Sequence, residues 1–205
     1  INGSNDTPTI DASSTGSDEG AVTEDVSLSG NNLTDSGTFT IGDTDTTDVL
    51  TVQSTGTGYV ASSATWMESD GTTSAGTLTP EQITALTSGF TATKSAATVG
   101  WNYQVANAAV QFLDKDEVVT LTFDVTIGDD SGESSGTTAT DQVTITITGA
   151  DDASVITHHD GTSSTDVTGS DVAASVNEGD ASVTGTLAIS DVDANDTPAF
   201  TPVVV

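Results

Sequence analysis

The chain has no cysteine, so no disulfide can staple it. Among its 205 residues only Lys94 and Lys115 are basic, against 31 acidic residues, a formal net charge of −29. Such a balance excludes nucleic acid as a partner, because phosphate binding needs clustered Lys and Arg. It argues equally against anionic membrane surfaces. No apolar run approaches the roughly 20 residues that a membrane-spanning helix needs. Aromatic residues make up only 4%, and few aromatics with high charge is one signature of disorder. The distribution points the other way: the acids are mostly Asp in short clusters, and the stretches between them alternate apolar and polar residues. Charge of this size calls for screening by salt or local neutralisation by divalent cations. In a domain without disulfides, a bound metal is the usual substitute for the missing staple.

What is abundant is Thr, Ser, Gly, Asp, Val and Ala, a palette common in secreted β-proteins, and it predicts an extracellular location. The chain begins at Ile1 without a signal peptide, which predicts an internal piece of something longer. Self-similarity organises it. Ile1 to Ile10 lines up with Ile147 to Ile156, a shift of 146 residues. Gly37-Thr38-Phe39-Thr40-Ile41-Gly42-Asp43-Thr44-Asp45 lines up with Gly185-Thr186-Leu187-Ala188-Ile189-Ser190-Asp191-Val192-Asp193, a shift of 148. Between these blocks, Val22-Thr23-Glu24-Asp25 answers Val176-Asn177-Glu178-Gly179. Three blocks in one order predict a tandem repeat. Residues 1–149 form a complete copy with a linker-like start at 1–8, and residues 150–205 form the incomplete opening of a second.

Period-two patterning predicts strands. Val99, Trp101, Tyr103 and Val105 share one face. So do Val119, Leu121, Phe123, Val125 and Ile127, with Thr or Asp between them, and Val143, Ile145 and Ile147 repeat the theme. Thr tolerates water on a strand, so these faces read as the inside and outside of a sandwich. Turns fall at Gly42-Asp43, Gly128 to Gly136 and Gly149 to Asp152. One short helix is expected near residues 80–88. Thr79 serves as N-cap, Pro80 takes the first helical position, Gln82 completes a capping box, Ile83 and Leu86 make the apolar face, and Gly89 stops it. A second short turn, Asn107 to Leu113, is expected to cross between the sheets. The fold class is an all-β antiparallel sandwich.

In their order, several blocks resemble the VCBS repeats of large RTX-type bacterial surface adhesins. They are Val22-Thr23-Glu24-Asp25, the Gly37 to Ile41 strand with Asp43-Thr44-Asp45, and the stretch Trp101 to Glu117. The closing run Asp141-Gln142-Val143-Thr144-Ile145-Thr146-Ile147-Thr148-Gly149 belongs with them. The family often follows that run with a linker of the Asn-Asp-Ala-Pro type, a pattern kept by Asn5-Asp6-Thr7-Pro8. Asp151-Asp152-Ala153-Ser154 loses both Asn and Pro, which predicts a less rigid junction. The resemblance implies an Ig-like or cadherin-like sandwich and ions that bridge the end of one domain to the start of the next.

Calcium wants six to eight oxygen ligands, with carboxylates supplied from loops. The candidates are Asp6, Glu24, Asp43, Asp45, Asp129, Asp130, Asp151, Asp152, Glu178, Asp191 and Asp193. Within them, Asp151, Asp152, Glu178, Asp191 and Asp193 are expected to gather at the domain junction, with Asp129 or Asp130 as possible additions. The competing reading is that these are solvated turn acids, since Asp favours turns without any metal. Repetition of the Glu and Asp-x-Asp set, with almost no Lys or Arg to neutralise it, favours the ion. His158-His159 reads as an exposed loop pair, since a soft-metal site would need further ligands. Sequons at Asn2, Asn5, Asn32 and Asn195 are expected by chance in so Ser- and Thr-rich a chain. Trp66, Trp101 and Tyr103 could stack on a sugar, but the alternating face places the last two in the core. No EF-hand loop, RTX nonapeptide or P-loop is present, and an enzyme is not expected.

The expected role is therefore a structural or adhesive spacer whose partners are neighbouring repeats or copies of itself, with any cell-surface or carbohydrate ligand held by other domains. Two further readings stand beside it. One is a self-assembling filament or surface layer completed by strand exchange. The other is a carbohydrate- or ice-binding module, which would show a flat exposed row of Thr or aromatic residues.

Overall fold

Residues 3–11, 18–53, 61–159, 178 and 186–199 are described by the computed structural model of the chain. In chain order the elements are β1 (Thr9–Asp11), β2 (Glu19–Thr23), β3 (Asn32–Gly42), β4 (Thr51–Gln53), β5 (Ala61–Met67), α1 (Pro80–Thr87), β6 (Thr91–Ser95) and β7 (Thr98–Ala106). A 3₁₀ turn (Asn107–Ala109) follows, then β8 (Val118–Gly128), β9 (Thr138–Thr148), β10 (Val155–His159) and β11 (Thr186–Ser190).

The alternation of Val, Ile and Phe with Thr is realised most fully in β8 and β9, which pair antiparallel from Val118↔Thr148 to Gly128↔Thr138. Val119, Leu121, Phe123, Val125 and Ile127 are fully buried on one face, as are Val143, Ile145 and Ile147. The sheet runs β2-β9-β8, and β8 is long enough to hold both β4 and β5 along its other edge. The opposing sheet has the order β1-β3-β7-β6. Leu33 and Phe39 from β3 face the other sheet with Val99, Trp101, Tyr103 and Val105 from β7, all buried. Phe90 stacks on both Trp101 and Phe123 and so ties the two sheets together. This is an all-β sandwich, and the expected core faces are the ones observed.

The helix forms where the capping signals place it. The Thr79 hydroxyl accepts from the Gln82 amide, and the Gln82 side chain accepts from the Thr79 amide. Leu86 is buried and its carbonyl accepts the Tyr103 hydroxyl. Gly89 matters through proximity: a Cβ there would stand 1.7 Å from the Gln104 carbonyl, so only glycine lets this chain end lie against β7. The 3₁₀ turn carries the chain from one sheet to the other, as expected of Asn107 to Leu113.

One pairing departs from the antiparallel expectation. β2 runs parallel to β9, from Glu19↔Thr144 to Thr23↔Thr148. Alternation alone cannot distinguish the two directions, because side chains alternate identically in both. The consequence is positional. Glu24, just after β2, lies beside the end of β9 and the Gly149–Asp152 turn. We call this end of the sandwich the junction pole. Asp43 to Asp48, just after β3, lie at the opposite end with the β8–β9 loop and residues 3–8, the N-terminal pole.

β10 and β11 form a separate two-stranded sheet. Its register, Val155↔Ser190 to Thr157↔Ala188, is that of β1 and β3, Thr9↔Gly42 to Asp11↔Thr40, displaced by 146 on one strand and 148 on the other. His158 and His159 therefore lie on β10 rather than in a loop, because this pairing extends to His159↔Thr186.

Candidate metal centre

Each pole is built around the same loop. At the N-terminal pole the Asp43 carboxylate accepts the Asp45 amide at 2.9 Å, and the Asp45 carboxylate accepts the Asp6 amide at 2.7 Å. At the junction pole the Asp191 carboxylate accepts the Asp193 amide at 3.2 Å, and the Asp193 carboxylate accepts the Asp152 amide at 3.0 Å. In both, a backbone amide donor holds each of these carboxylates in place, and the second oxygen of Asp191 accepts the Ser154 hydroxyl at 2.7 Å.

Among the described residues, the buried side-chain oxygens without a hydrogen-bond partner belong to Asp43, Asp48, Asp152 and Asp193, one from each. All four are carboxylate oxygens in the two loop clusters. A buried charged oxygen left unpaired costs at least about 1–3 kcal/mol, so these four are open acceptors that a cation would satisfy. Carboxylate oxygens of Asp114, Asp151 and Asp193 lie within 4.8 Å of one another, as do those of Asp191, Asp193 and Asp196. Asp193, 3% exposed, belongs to both groups. Asp43, Asp48 and Asp129 make the corresponding group at the N-terminal pole. Oxygens on opposite sides of one calcium ion stand about 4.8 Å apart, so each trio can ligate a single ion. An all-oxygen, carboxylate-rich set of this kind fits calcium and offers nothing to a soft metal.

Electrostatics agree with the geometry. Glu24 is fully buried, and burial pushes its carboxyl up to about 7, although the Ala150 amide it accepts pulls the other way; Asp152, Asp25 and Asp193 add repulsion. Its second oxygen takes the Gln111 amide. Asp152 and Asp193 are also raised, chiefly by burial and then by neighbouring carboxylates. At the other pole Asp48 is raised by burial and by Asp45, Asp129, Asp130 and Asp43. Asp129 is lowered, because Ser131 and Asn5 donate to it.

The sequence-derived candidates divide between the poles. Asp151, Asp152, Asp191 and Asp193 meet at the junction as expected. Glu178 does not join them: it is exposed and belongs to none of the carboxylate groups among the described residues. Glu24 stands beside Asp152 and Asp193 instead, since the parallel β2–β9 pairing puts Glu24 and the Asp43-x-Asp45 loop at opposite ends of the sandwich. For the same reason Asp129 and Asp130 lie at the N-terminal pole with Asp6, Asp43 and Asp45, where Asp130 accepts the Val49 amide.

Four acids escaped the sequence reading. Asp48 and Asp196 are related by the same 148-residue shift, so extending the matched block by three residues would have found them. Asp114 and Glu117, in the turn before β8, carry no comparable signal.

Other motifs resolve simply. The Asn195 and Asn5 amide groups are engaged as hydrogen-bond donors within the fold. Gly132-Glu133-Ser134-Ser135-Gly136 spells Gly-x-Ser-x-Gly. It lies in the exposed β8–β9 loop between two strands, whereas a nucleophile elbow needs a strand-to-helix turn. Trp66, Trp101 and Tyr103 are all buried, so none offers a sugar-stacking face. The outward threonines of β8 and β9 pair across the strands, but Thr120, Thr122, Thr144 and Thr146 are half-buried rather than a fully exposed row. No helix among the described residues is long and apolar enough to cross a membrane. No family model matches the chain, and no curated protein matches it.

Proposed function

We propose that residues 1–149 and 150–205 are successive units of a tandem extracellular spacer of the VCBS-like, cadherin-like type, and that calcium at the junction stiffens the array. The observation that carries this reading is that, among the described residues, the orphaned carboxylate oxygens belong to Asp43 and Asp48 at one pole and to Asp152 and Asp193 at the other. Matched registers of β1–β3 and β10–β11 support the tandem arrangement. An ion held by Asp114 and Asp151 together with Asp193 ties the end of one unit to the loop of the next. A second ion on Asp191, Asp193 and Asp196 neutralises the same loop. Bending the junction then requires pulling carboxylates off an ion, and the bound cations offset the self-repulsion of the negative charge.

Calorimetry with added calcium, with added magnesium and with chelator tests this reading. Calcium is expected to raise the melting temperature and to sharpen small-angle scattering toward a single elongated shape. A melt unchanged between calcium and chelator rejects it. A filament completed by strand exchange is the second reading. Light scattering across a hundredfold concentration range separates the two, since strand exchange requires association.

A further inference from the structure

The junction also holds contacts that involve no candidate metal ligand of the second unit. The Ala194 amide donates to the Phe112 carbonyl at 3.0 Å. The Asn195 side-chain amide donates to Glu117 Oε1 at 2.5 Å and to the Ala75 carbonyl at 3.3 Å. Glu117 is 2% exposed. Its Oε2 accepts the Trp66 indole N–H at 2.9 Å and the Asp114 amide at 3.1 Å, both from its own unit. Its Oε1 accepts from the next unit. A buried carboxylate needs donors for both oxygens, so the first unit presents an acceptor that its neighbour completes.

The rest of this seat is rigid. Trp66 is 8% exposed, packs edge-on against Phe112, and its ring lies so close to Gly76 that a Cβ there would meet it at 2.7 Å. The Ala75 amide donates to the Trp66 carbonyl. Thus Phe112, Ala75 and Glu117, the three acceptors, are all fixed to one residue: Phe112 and Glu117 to the Trp66 indole and Ala75 to the Trp66 backbone carbonyl. The loop of the first copy is equivalent to that of the second in its hydrogen bonds, but where Asn195 stands it carries Thr47. A threonine hydroxyl is one donor on a short stem and cannot serve two acceptors as a carboxamide does.

We infer that the junction pole of residues 1–149 carries a metal-independent seat, made by Phe112, Ala75 and Glu117, which selects a following unit with asparagine two residues after its Asp-x-Asp pair. This rests on the two-unit reading but not on calcium. Units of the array are then not interchangeable: a loop of the Asn195 type locks onto this pole, and a loop of the Thr47 type does not.

Hydrogen exchange of the Ala194 amide, followed by NMR on the full 205-residue chain in excess chelator, tests it. Wild type is expected to protect Ala194. Asn195→Thr is expected to speed its exchange about tenfold or more, the change that loss of a hydrogen bond to a charged group produces. The Val125 amide, in the centre of β8, should keep its wild-type rate and so report that the sandwich is intact. Glu117→Gln, which can no longer accept at both oxygens, should also speed Ala194 exchange. Equal protection in wild type and Asn195→Thr overturns the inference, and so does fast exchange in both. Because no metal is present, either failure is distinct from failure of the calcium reading, which the calorimetry decides alone.

Discussion

The two poles of the sandwich carry the same loop and differ in what surrounds it. At the N-terminal pole Asp43, Asp45 and Asp48 are all half-buried, and Asp43 and Asp48 share a trio with Asp129 of the β8–β9 loop. At the junction pole Asp193 is almost wholly buried, shares a trio with Asp114 and Asp151, and repels the buried Glu24. An Asp-x-Asp-x-x-Asp loop is therefore half a site. Whichever surface packs against it sets its burial, its charge and its work.

The largest expected effect is metal removal. If calcium is present at about 100 times its dissociation constant, each site adds about 2.7 kcal/mol. At about 2–4 °C per kcal/mol for a chain of this size, chelation should lower the melting temperature by about 5–10 °C per occupied site. Two resolved steps on titration would show that the poles fill separately, and a single step would show that they do not.

Next in size is a glycine pair. A Cβ on Gly149 would stand 2.3 Å from the Asp114 carbonyl, whereas one on Gly3, its counterpart at a shift of 146, would meet nothing within 4 Å. Gly149→Ala is expected to cost about 1–3 kcal/mol by overpacking and to displace Asp114 from its trio. Gly3→Ala should be neutral in the same denaturant titration. Equal effects would erase the contrast between the poles.

Asp193→Asn should change sign with the metal. In calcium it removes a ligand shared by two trios and lowers stability. In chelator it removes a buried, repelled charge and raises stability, by about 1 kcal/mol on the scale of a single buried polar change. Asp45→Asn, at a more open position outside the trio, should move less in both conditions. Thermal melts of the two variants in both buffers give the comparison.

A further effect is that of pH without metal. Glu24 titrates near 7 in the folded chain, against 4.5 as a free side chain. The native state thus holds a proton that the unfolded state has lost between these values. Stability is expected to be highest at the acid end of this window, to fall as pH rises from about 4.5 to about 7, and then to level off. Asp152 and Asp193, raised for the same reason, add to the fall. Below the window Asp129 and Asp191, both lowered by hydrogen bonds, lose their contribution as pH drops. Melts across pH 4.5–8 in chelator check this, and Glu24→Gln should flatten the curve.

Much of the fold was legible in advance because it depends on local chemistry. Val alternating with Thr can bury only one face, so β7, β8 and β9 and their core residues follow from period alone. Thr79, Pro80 and Gln82 satisfy a helix start within four residues, and no tertiary contact is needed to read them. The site was half legible for a related reason. An Asp-x-Asp turn is a local object, and its recurrence at a fixed shift marks it twice.

What the amino-acid order determined by itself, then, is the strand faces, the helix, the repeated loops and the surplus of negative charge. Only the tertiary structure decided which acids meet. Parallel pairing of β2 with β9 sent Glu24 to the far end from Asp43, and docking of the second loop brought Asp193 to Asp114 and Asn195 to Glu117. Strand direction and the packing of the Asp191–Asp196 loop on the sandwich are set by contacts between residues far apart in sequence, and alternation carries no record of them.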